Sequence, residues 1–263
     1  MKNKLVELQL AGPNCGHERH LNLKSIKLLK ENNPKATFGL PGGANYTEEE
    51  LLSFIANYTK CSTDLNQTEG PGSIDPHATL VGFYEAAEVL ARVAKQKGRV
   101  ILGSGHPGGM TAYYVELAKL LEKLGCQVLE DKGAGLVVDR YPCPHCGQHD
   151  VEVRIDYVGK VALLSDGEIL RHTHSPEPME AILNILAKEN RLPDVVIGDH
   201  GFAGAAIKKG ILTIAVMDTN DPALALAKQE GANLVVIPMD DNRPNYITSQ
   251  AVKILEHLIE LLW

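Results

Sequence analysis

The sequence predicts an α/β protein with a Rossmann-like, three-layer α/β/α sandwich around a mostly parallel sheet. Two observations lead to this prediction. From about residue 74 onwards, short apolar runs alternate with longer segments of helical apolar spacing, which is the pattern of successive βαβ units. The short runs are also almost continuously apolar, as expected for strands that are buried on both faces of a parallel sheet.

The N-terminal region differs in composition from this core. Residues 1–75 are rich in Asn, Gly, Pro and Thr, helices are expected there over residues 23–30 and 47–58, and the N-terminal region itself is taken as residues 1–73. We expect this region to be a cap or extension packed on the core. Residues 1–263 then form a single α/β domain.

Start and stop signals bound the elements of the core. Asp75-Pro76 is a favourable helix start, the apolar spacing that follows is helical, and Gly98 is a favourable end. Further along, the short apolar runs predict strands and the amphipathic segments between them predict helices. In chain order we expect a helix at 75–98, a strand at 99–105, a helix at 110–125, a strand at 126–131, a hairpin or strand pair at 154–167, a helix at 178–189, a strand at 194–199, a short helix at 202–210, a strand at 212–218, a helix at 222–231, a strand at 232–240 and a closing helix at 247–262.

Composition narrows the classes of function. The chain has 263 residues, of which 44% are hydrophobic, enough for a large core. A net charge of −7 argues against a nucleic-acid-binding protein, which needs a basic face. The N-terminus has no signal-peptide pattern and no apolar run approaches the roughly 20 residues that span a membrane, so we expect a cytoplasmic protein without a membrane partner. A homo-oligomer is compatible with the sequence.

The number and spacing of the cysteines also fit a cytoplasmic protein. The five cysteines are odd in number and widely scattered, which favours reduced thiols, some of them metal ligands, over a disulfide framework.

Polar side chains cluster where the expected strands end. Because ligands of open α/β sheets bind at the carboxyl ends of the strands, these segments are expected to converge on one site. They are residues 104–109, 172–178, 199–201, 218–222 and 240–242.

The first of these segments, SGHPGG, is a glycine-rich strand-to-helix turn that begins at Ser104. Gly105, Gly108 and Gly109 would let backbone N–H groups approach an anion at the helix N-terminus. The alternative is a tight turn that needs glycine for its conformation. His106 favours the functional interpretation, because a turn has no need of an imidazole.

The segment HTHSPEP places His172 and His174 on one face of an extended chain. That spacing suits metal ligation or a paired acid and base, although two buried, hydrogen-bonded imidazoles are the alternative. Ser175 is expected to cap the next helix, with Pro176 at its first position.

The remaining strand ends carry carboxylates. Asp199 either caps a helix or, with His200 beside it, binds a cation or takes a proton. Asp218 and Asn220 are site candidates, whereas Asp221 precedes a proline and is expected to be a helix cap. Asp240 and Asp241 are either ligands or part of a solvated turn.

CPHCGQHD at residues 143–150 is a separate signal. Cys143 and Cys146 have the C-x-x-C spacing of half a zinc site, and Cys15 and His17 could complete four ligands for a structural zinc ion. A cysteine-containing turn without metal is the alternative.

SGHPGG, HTHSPEPM, DHGFAGAA and DTNDPAL, in this order, resemble the motifs of a bacterial family of phosphatases with members in actinobacteria. The likeness covers roughly residues 40–245, and HTHSPEPM is long and unusual enough to make it specific. The cysteine-containing insertion at 141–152 is not a feature of that family. The resemblance implies phosphatase activity on a phosphate ester, and it brings no catalytic assignment with it.

The chemistry of these residues gives a working hypothesis for hydrolysis of a small phosphomonoester. Asp199 and Asp218 would hold a divalent cation (Mg, Mn or Zn), which would activate water. Candidate catalytic residues are His106, His172, His174, Asp199 and His200, with His106 stabilising phosphoryl charge and the others exchanging protons. Candidate substrate-binding residues are Ser104, Gly105, Gly108, Gly109, Ser175 and Asn220.

Three alternatives remain open at this stage. A histidine could attack phosphorus without any metal. The chain could be a non-catalytic binding protein for a phosphorylated metabolite, or a sugar-phosphate isomerase on the same scaffold. No nucleotide cofactor is expected.

Overall fold

The computed structural model describes residues 1–131, 136–139 and 151–263, and for 136–139 and Val151 it describes the backbone alone. The helices are α1 (Lys2–Glu7), α2 (Arg19–Lys30), α3 (Pro34–Thr37), α4 (Glu48–Thr59), α5 (Pro76–Lys95), α6 (Pro107–Lys123), α7 (Glu177–Lys188), α8 (His200–Lys208), α9 (Pro222–Gln229), α10 (Asn245–Thr248), a 3₁₀ turn (Ser249–Ala251) and α11 (Val252–Leu262). The strands are β1 (Arg99–Ser104), β2 (Gln127–Val128), β3 (Leu136–Asp139), β4 (Val151–Val158), β5 (Val161–Ser165), β6 (Leu170–Arg171), β7 (Val195–Gly198), β8 (Thr213–Met217) and β9 (Leu234–Pro238).

These strands form one mixed sheet in the order β3-β4-β5-β1-β7-β8-β9, with β2 beside β1 and β6 beside β5. The pairs β5–β1, β1–β7, β7–β8 and β8–β9 are parallel, whereas β3–β4, β4–β5 and β5–β6 are antiparallel. Strand β1 lies where the chain order reverses, with later strands on both of its sides. In open α/β sheets this is the place where ligands bind.

Both faces of the sheet are covered, which explains the continuously apolar strands. Along each central strand, successive side chains point to opposite faces. Val100 and Leu102 of β1 belong to the core beneath α5, α6 and α11, whereas Ile101 belongs to the opposite core beneath α7 and α8. The result is the three-layer α/β/α sandwich that the alternating pattern predicts.

The N-terminal region contributes its own helices to the second face. One buried cluster contains Ile26 of α2, Leu52 of α4, and Phe38, which directly follows α3. Ala203 of α8 and Leu224 of α9 belong to the same cluster. The clearest point of contact is Gly204 in α8, where a Cβ would lie 1.9 Å from the carbonyl oxygen of Phe38. Helices α2, α3 and α4 therefore pack on the same face of the sheet as α9, and α4 also contacts β9.

The expected core elements are present, with shifted ends. Helix α8 begins at His200, two residues before the expected start, and so includes both His200 and Gly201. The strand expected at 126–131 is reduced to the two residues of β2. Short helices α1 and α3 were not expected, since six and four residues are too few for apolar spacing to be visible.

Within residues 1–131, 136–139 and 151–263, none of the helices combines the length and the apolar composition that crossing a bilayer requires.

We predict that Gly204→Ala destabilises the protein by about 1–3 kcal/mol, because the added methyl group overlaps the Phe38 carbonyl. The matched control is Gly108→Ala in α6, where a Cβ meets nothing within 4 Å and alanine favours the helix. Urea denaturation measures both free energies of unfolding. Equal stability of the two variants would contradict the close contact between α8 and the N-terminal region.

Candidate functional site

The site begins where β1 and β7 end side by side. The hydroxyl of Ser104 donates to one oxygen of Asp199 at 2.7 Å, and the backbone N–H of Gly105 donates to the other at 2.7 Å. Burial raises the pKa of Asp199 to about 6 despite these two donors. Both oxygens of this buried carboxylate are therefore engaged in holding two strand ends together.

The glycines of SGHPGG allow loops to approach one another closely. A Cβ on Gly105 would lie 2.1 Å from the Thr173 carbonyl oxygen, and one on Gly109 would lie 1.9 Å from that of Asp241. The Gly105 amide donates to Asp199, and the His106 amide donates to the Ser104 hydroxyl. These two amides thus have acceptors within the protein, and the glycines bring the histidine loops together.

The four predicted catalytic histidines form one cluster. The ring centroids of His174 and His200 lie 4.6 Å apart, those of His172 and His174 4.9 Å, and those of His106 and His172 5.0 Å. They come from the ends of β1, β6 and β7, which are far apart in sequence. The sequence-based prediction that these strand ends converge is confirmed for these residues.

His200 stands at the centre of the cluster and has an unusual backbone. Its φ of +43° lies in the left-handed region, which costs a side-chain-bearing residue on the order of 1 kcal/mol. Its Nδ1 lies 3.5 Å from Asp199, and its Nε2 lies 3.7 Å from both Asp221 and Asp241. Burial, followed by the charges of neighbouring histidines, lowers the pKa of His200 well below its ordinary value, so the ring is neutral.

Four carboxylates surround the histidines, and all four are buried: Asp218, Asp221, Asp240 and Asp241. The solvated turn considered for the last two is therefore ruled out. Asp221 stands at the N-cap position of α9, as expected, but its side chain makes no cap hydrogen bond. Instead its Oδ2 accepts the Asp218 amide at 2.9 Å, and its Oδ1 has no hydrogen-bond partner among the described residues.

The carboxylates differ in their charge partners. Burial and then the Asp241 charge raise the pKa of Asp221 well above its ordinary value. Burial also acts on Asp241, but the nearby His106, 3.4 Å away, outweighs it and holds the pKa of Asp241 below its ordinary value. In return Asp241 raises the pKa of His106 to about 9, against the effect of burial. Asp240 is paired with Arg243 at 2.7 Å.

A fifth histidine joins the site from the N-terminal region. The Nδ1 of His17 lies 2.8 Å from Asp218, and the Gly16 amide donates to Asp240 at 2.9 Å. Gly16 has a φ of +86°, and a Cβ there would lie 2.8 Å from the Thr219 hydroxyl, so glycine permits this approach. Burial opposes protonation of His17, but the Asp218 charge outweighs it and raises the pKa of His17 to about 10.

The histidine cluster forms one wall of a cleft of about 230 Å³. A second wall comes from α2 and α3 and includes Lys24 and Lys35. His174 Nδ1 lies 2.5 Å from the Lys35 carbonyl oxygen, which fixes the two walls to each other. Asn220 also lines the cleft, and its Oδ1 has no partner within the described part of the chain.

Three groups of side chains within the described residues have the spacing to hold a metal ion. In each group the ligand atoms lie within 4.8 Å of one another. The groups are His106–His172–His200, His17–Asp218–Asp241 and His200–Asp221–Asp241. Nitrogen and carboxylate donors of this kind suit Mn²⁺ and Zn²⁺.

Some predicted residues fall elsewhere. Ser175 is buried, and its hydroxyl accepts the Glu177 amide at the start of α7, so it serves the helix as expected and does not line the cleft. Cys143 and Cys146 lie outside the described residues, and the structural zinc site stays a prediction. His17, considered for that zinc site, contacts Asp218 instead.

Comparisons with known proteins agree with the chemistry of this site. A family model described as Phosphatase matches residues 1–259. A protein from Streptomyces coelicolor that is named as a phosphatase is 33% identical over 240 residues, which cover 90% of this chain and 86% of the relative. No solved structure matches the chain at a significant level.

The His17–Asp218 pair predicts a pH dependence of stability in metal-free protein. A pKa raised on folding from 6.5 to about 10 contributes stability that is complete below about 6.5 and is lost as the pH rises towards about 10. We expect the wild type to lose at least about 1 kcal/mol more than His17→Gln across this interval. Urea denaturation of chelator-treated protein, with the exposed His257→Gln as control, measures this difference. Parallel pH profiles for wild type and His17→Gln would refute it.

Proposed function

The chain belongs to the phosphatase family and is a hydrolase, and from this premise we propose that it hydrolyses a small phosphomonoester with the help of a divalent cation at the histidine and aspartate site. Mg²⁺, Mn²⁺ and Zn²⁺ are the candidate cations. The cleft of about 230 Å³ suits a small substrate.

One observation carries the metal-assisted part of this proposal. The Oδ1 atoms of Asp221 and Asp241 are buried beside the cleft and accept no hydrogen bond from the described residues. A buried carboxylate without a partner costs several kcal/mol, and a cation is the partner that removes this cost. When bound, such a cation polarises the phosphoryl oxygen and lowers the pKa of water.

The chain supplies positive charge for the substrate from the wall formed by α2 and α3. Lys24 and Lys35 are among the residues that line the cleft there, and an ammonium group attracts a phosphate dianion as a point charge. The side-chain amide of Asn220 is a further group in the cleft that can bind phosphate oxygens.

His174 is best suited to move the proton. It belongs to none of the three candidate metal groups within the described residues, yet it lines the cleft. A carbonyl oxygen can only accept, so the contact with Lys35 places a proton on Nδ1 and leaves Nε2 as the site of proton exchange. In hydrolysis the oxygen of water bonds to phosphorus, the ester P–O bond breaks, and the imidazolium of His174 protonates the departing oxygen. One hydrogen of the attacking water stays on the phosphate, and the other is released to solvent, from which the imidazole of His174 regains its proton.

This proposal revises two of the sequence-based roles. Asp218 remains a metal ligand, whereas Asp199 becomes a positioning residue, because both of its oxygens are bound by Ser104 and Gly105. His106 follows Gly105, and His200 follows Asp199. The two hydrogen bonds of Asp199 therefore fix the backbone beside both histidines.

We predict that chelation lowers phosphate release at least about 100-fold and that Mn²⁺ restores it, because a bound cation supplies several kcal/mol of charge stabilisation. Release of inorganic phosphate from a panel of phosphomonoesters measures this effect. His200→Ala, purified identically, reports contaminating phosphatase. Release that survives chelation but disappears in His200→Ala would favour direct attack by a histidine.

We also predict that His174→Ala lowers kcat about 10²–10⁴-fold for an alkyl phosphate, whose leaving oxygen needs a proton. The loss should be far smaller for p-nitrophenyl phosphate, because nitrophenolate leaves without one. The surface variant His257→Ala is the control. The same loss for both esters would instead give His174 a positioning role.

A further inference from the structure

Two of the candidate metal groups share one residue. His17–Asp218–Asp241 and His200–Asp221–Asp241 have Asp241 in common, and each group has its ligand atoms within 4.8 Å of one another. Ligands held about 2.0–2.2 Å from one ion lie at most about 4.4 Å apart, so small inward shifts of the side chains close each group around an ion. The two ions would then lie on either side of one carboxylate.

Independent observations point to a bound ligand at this place. Asp221 Oδ1 and Asp241 Oδ1 are buried atoms without hydrogen-bond partners among the described residues. Their side chains are at least 97% buried. His200 Nε2 also lies 3.7 Å from both carboxylates, too far for a hydrogen bond.

The site offers enough carboxylates for two cations. Asp240 is paired with Arg243 at 2.7 Å, which leaves Asp218, Asp221 and Asp241 as possible ligands. In the metal-free protein His17 and His106 lie beside Asp218 and Asp241, and binding of a cation through His17 would release the proton of that imidazole.

The third group, His106–His172–His200, shares a histidine with the second group and no carboxylate. A carboxylate offers one oxygen to each of two ions, so Asp241 is the suitable bridge. We propose that the site holds a pair of divalent cations bridged by Asp241, one bound by His17 and Asp218 and the other by His200 and Asp221. This inference rests on the metal-assisted function proposed above and specifies the number and arrangement of the ions.

In such a bridged pair, the two ions would depend on different parts of the chain. A pair of cations held by these residues would stabilise the charge on the attacking and leaving oxygens of a displacement at phosphorus. One of them depends on His17, which the N-terminal region supplies. The other depends on His200, whose left-handed φ of +43° sets the direction of its ring.

The test uses Mn²⁺ as the probe and needs no turnover. Full-length protein carrying Cys143→Ser and Cys146→Ser, which removes the candidate zinc ligands, is stripped with chelator and titrated with Mn²⁺. We expect two Mn²⁺ per chain by equilibrium dialysis and an exchange-coupled signal in electron paramagnetic resonance. His257→Ala should behave identically.

Variants assign the two positions. His17→Ala should bind one Mn²⁺ with an uncoupled signal, and the isosteric Asp218→Asn should do the same if His17→Ala fails to fold. Asp241→Asn should abolish the coupled signal and weaken Mn²⁺ binding at least about tenfold. Thermal melting monitors the fold of each variant.

Each contrary result has a distinct meaning. One Mn²⁺ per chain, with phosphate release still sensitive to chelator, overturns the pair and leaves the proposed function standing. Two Mn²⁺ with isolated signals overturn the bridge. No bound Mn²⁺ together with chelator-resistant phosphate release overturns both the pair and the metal-assisted function.

Discussion

Burial of five carboxylates at one edge of the sheet is the constraint on which the rest of the site depends. Removing a carboxylate from water costs several kcal/mol unless it finds donors or cations. The fold meets this cost for Asp199 with Ser104 and Gly105, for Asp240 with Arg243, and for Asp218 with His17. For the remaining two, Asp221 and Asp241, one carboxylate oxygen each finds no donor among the described residues, and both side chains lie near His200.

The same constraint explains why small residues occupy the loops. Gly105 packs against the Thr173 carbonyl, Gly109 against that of Asp241, and Gly16 against Thr219. Each glycine lets a loop that carries a histidine or a carboxylate approach another loop more closely than any side chain would allow. Their role lies in assembling charged groups, whereas the sequence alone suggested a phosphate-binding backbone.

The sequence predicted the sheet and most of the site for one physical reason. Parallel strands end at the same edge, so His106, His200 and Asp218 had to meet once their strands were identified. His17 could not be found in this way, because it lies outside the regular pattern and its partner Asp218 is 201 residues away. Asp221 stands at the predicted N-cap position of α9, but the Asp-Pro signal does not reveal that its carboxylate lies near His200 and makes no cap hydrogen bond.

The position of His17 ties the N-terminal region to the chemistry of the core. Helices α2 and α3 form one wall of the cleft, and the segment before them places an imidazole on a buried carboxylate at the end of β8. A ligand that binds both walls stabilises their contact by its own binding free energy. Occupation of the site and docking of the N-terminal region are therefore thermodynamically coupled, so a substitution in either one affects the other. This coupling also gives a reason for the close contact of Gly204 with Phe38, because the walls must be held in register before any ligand arrives.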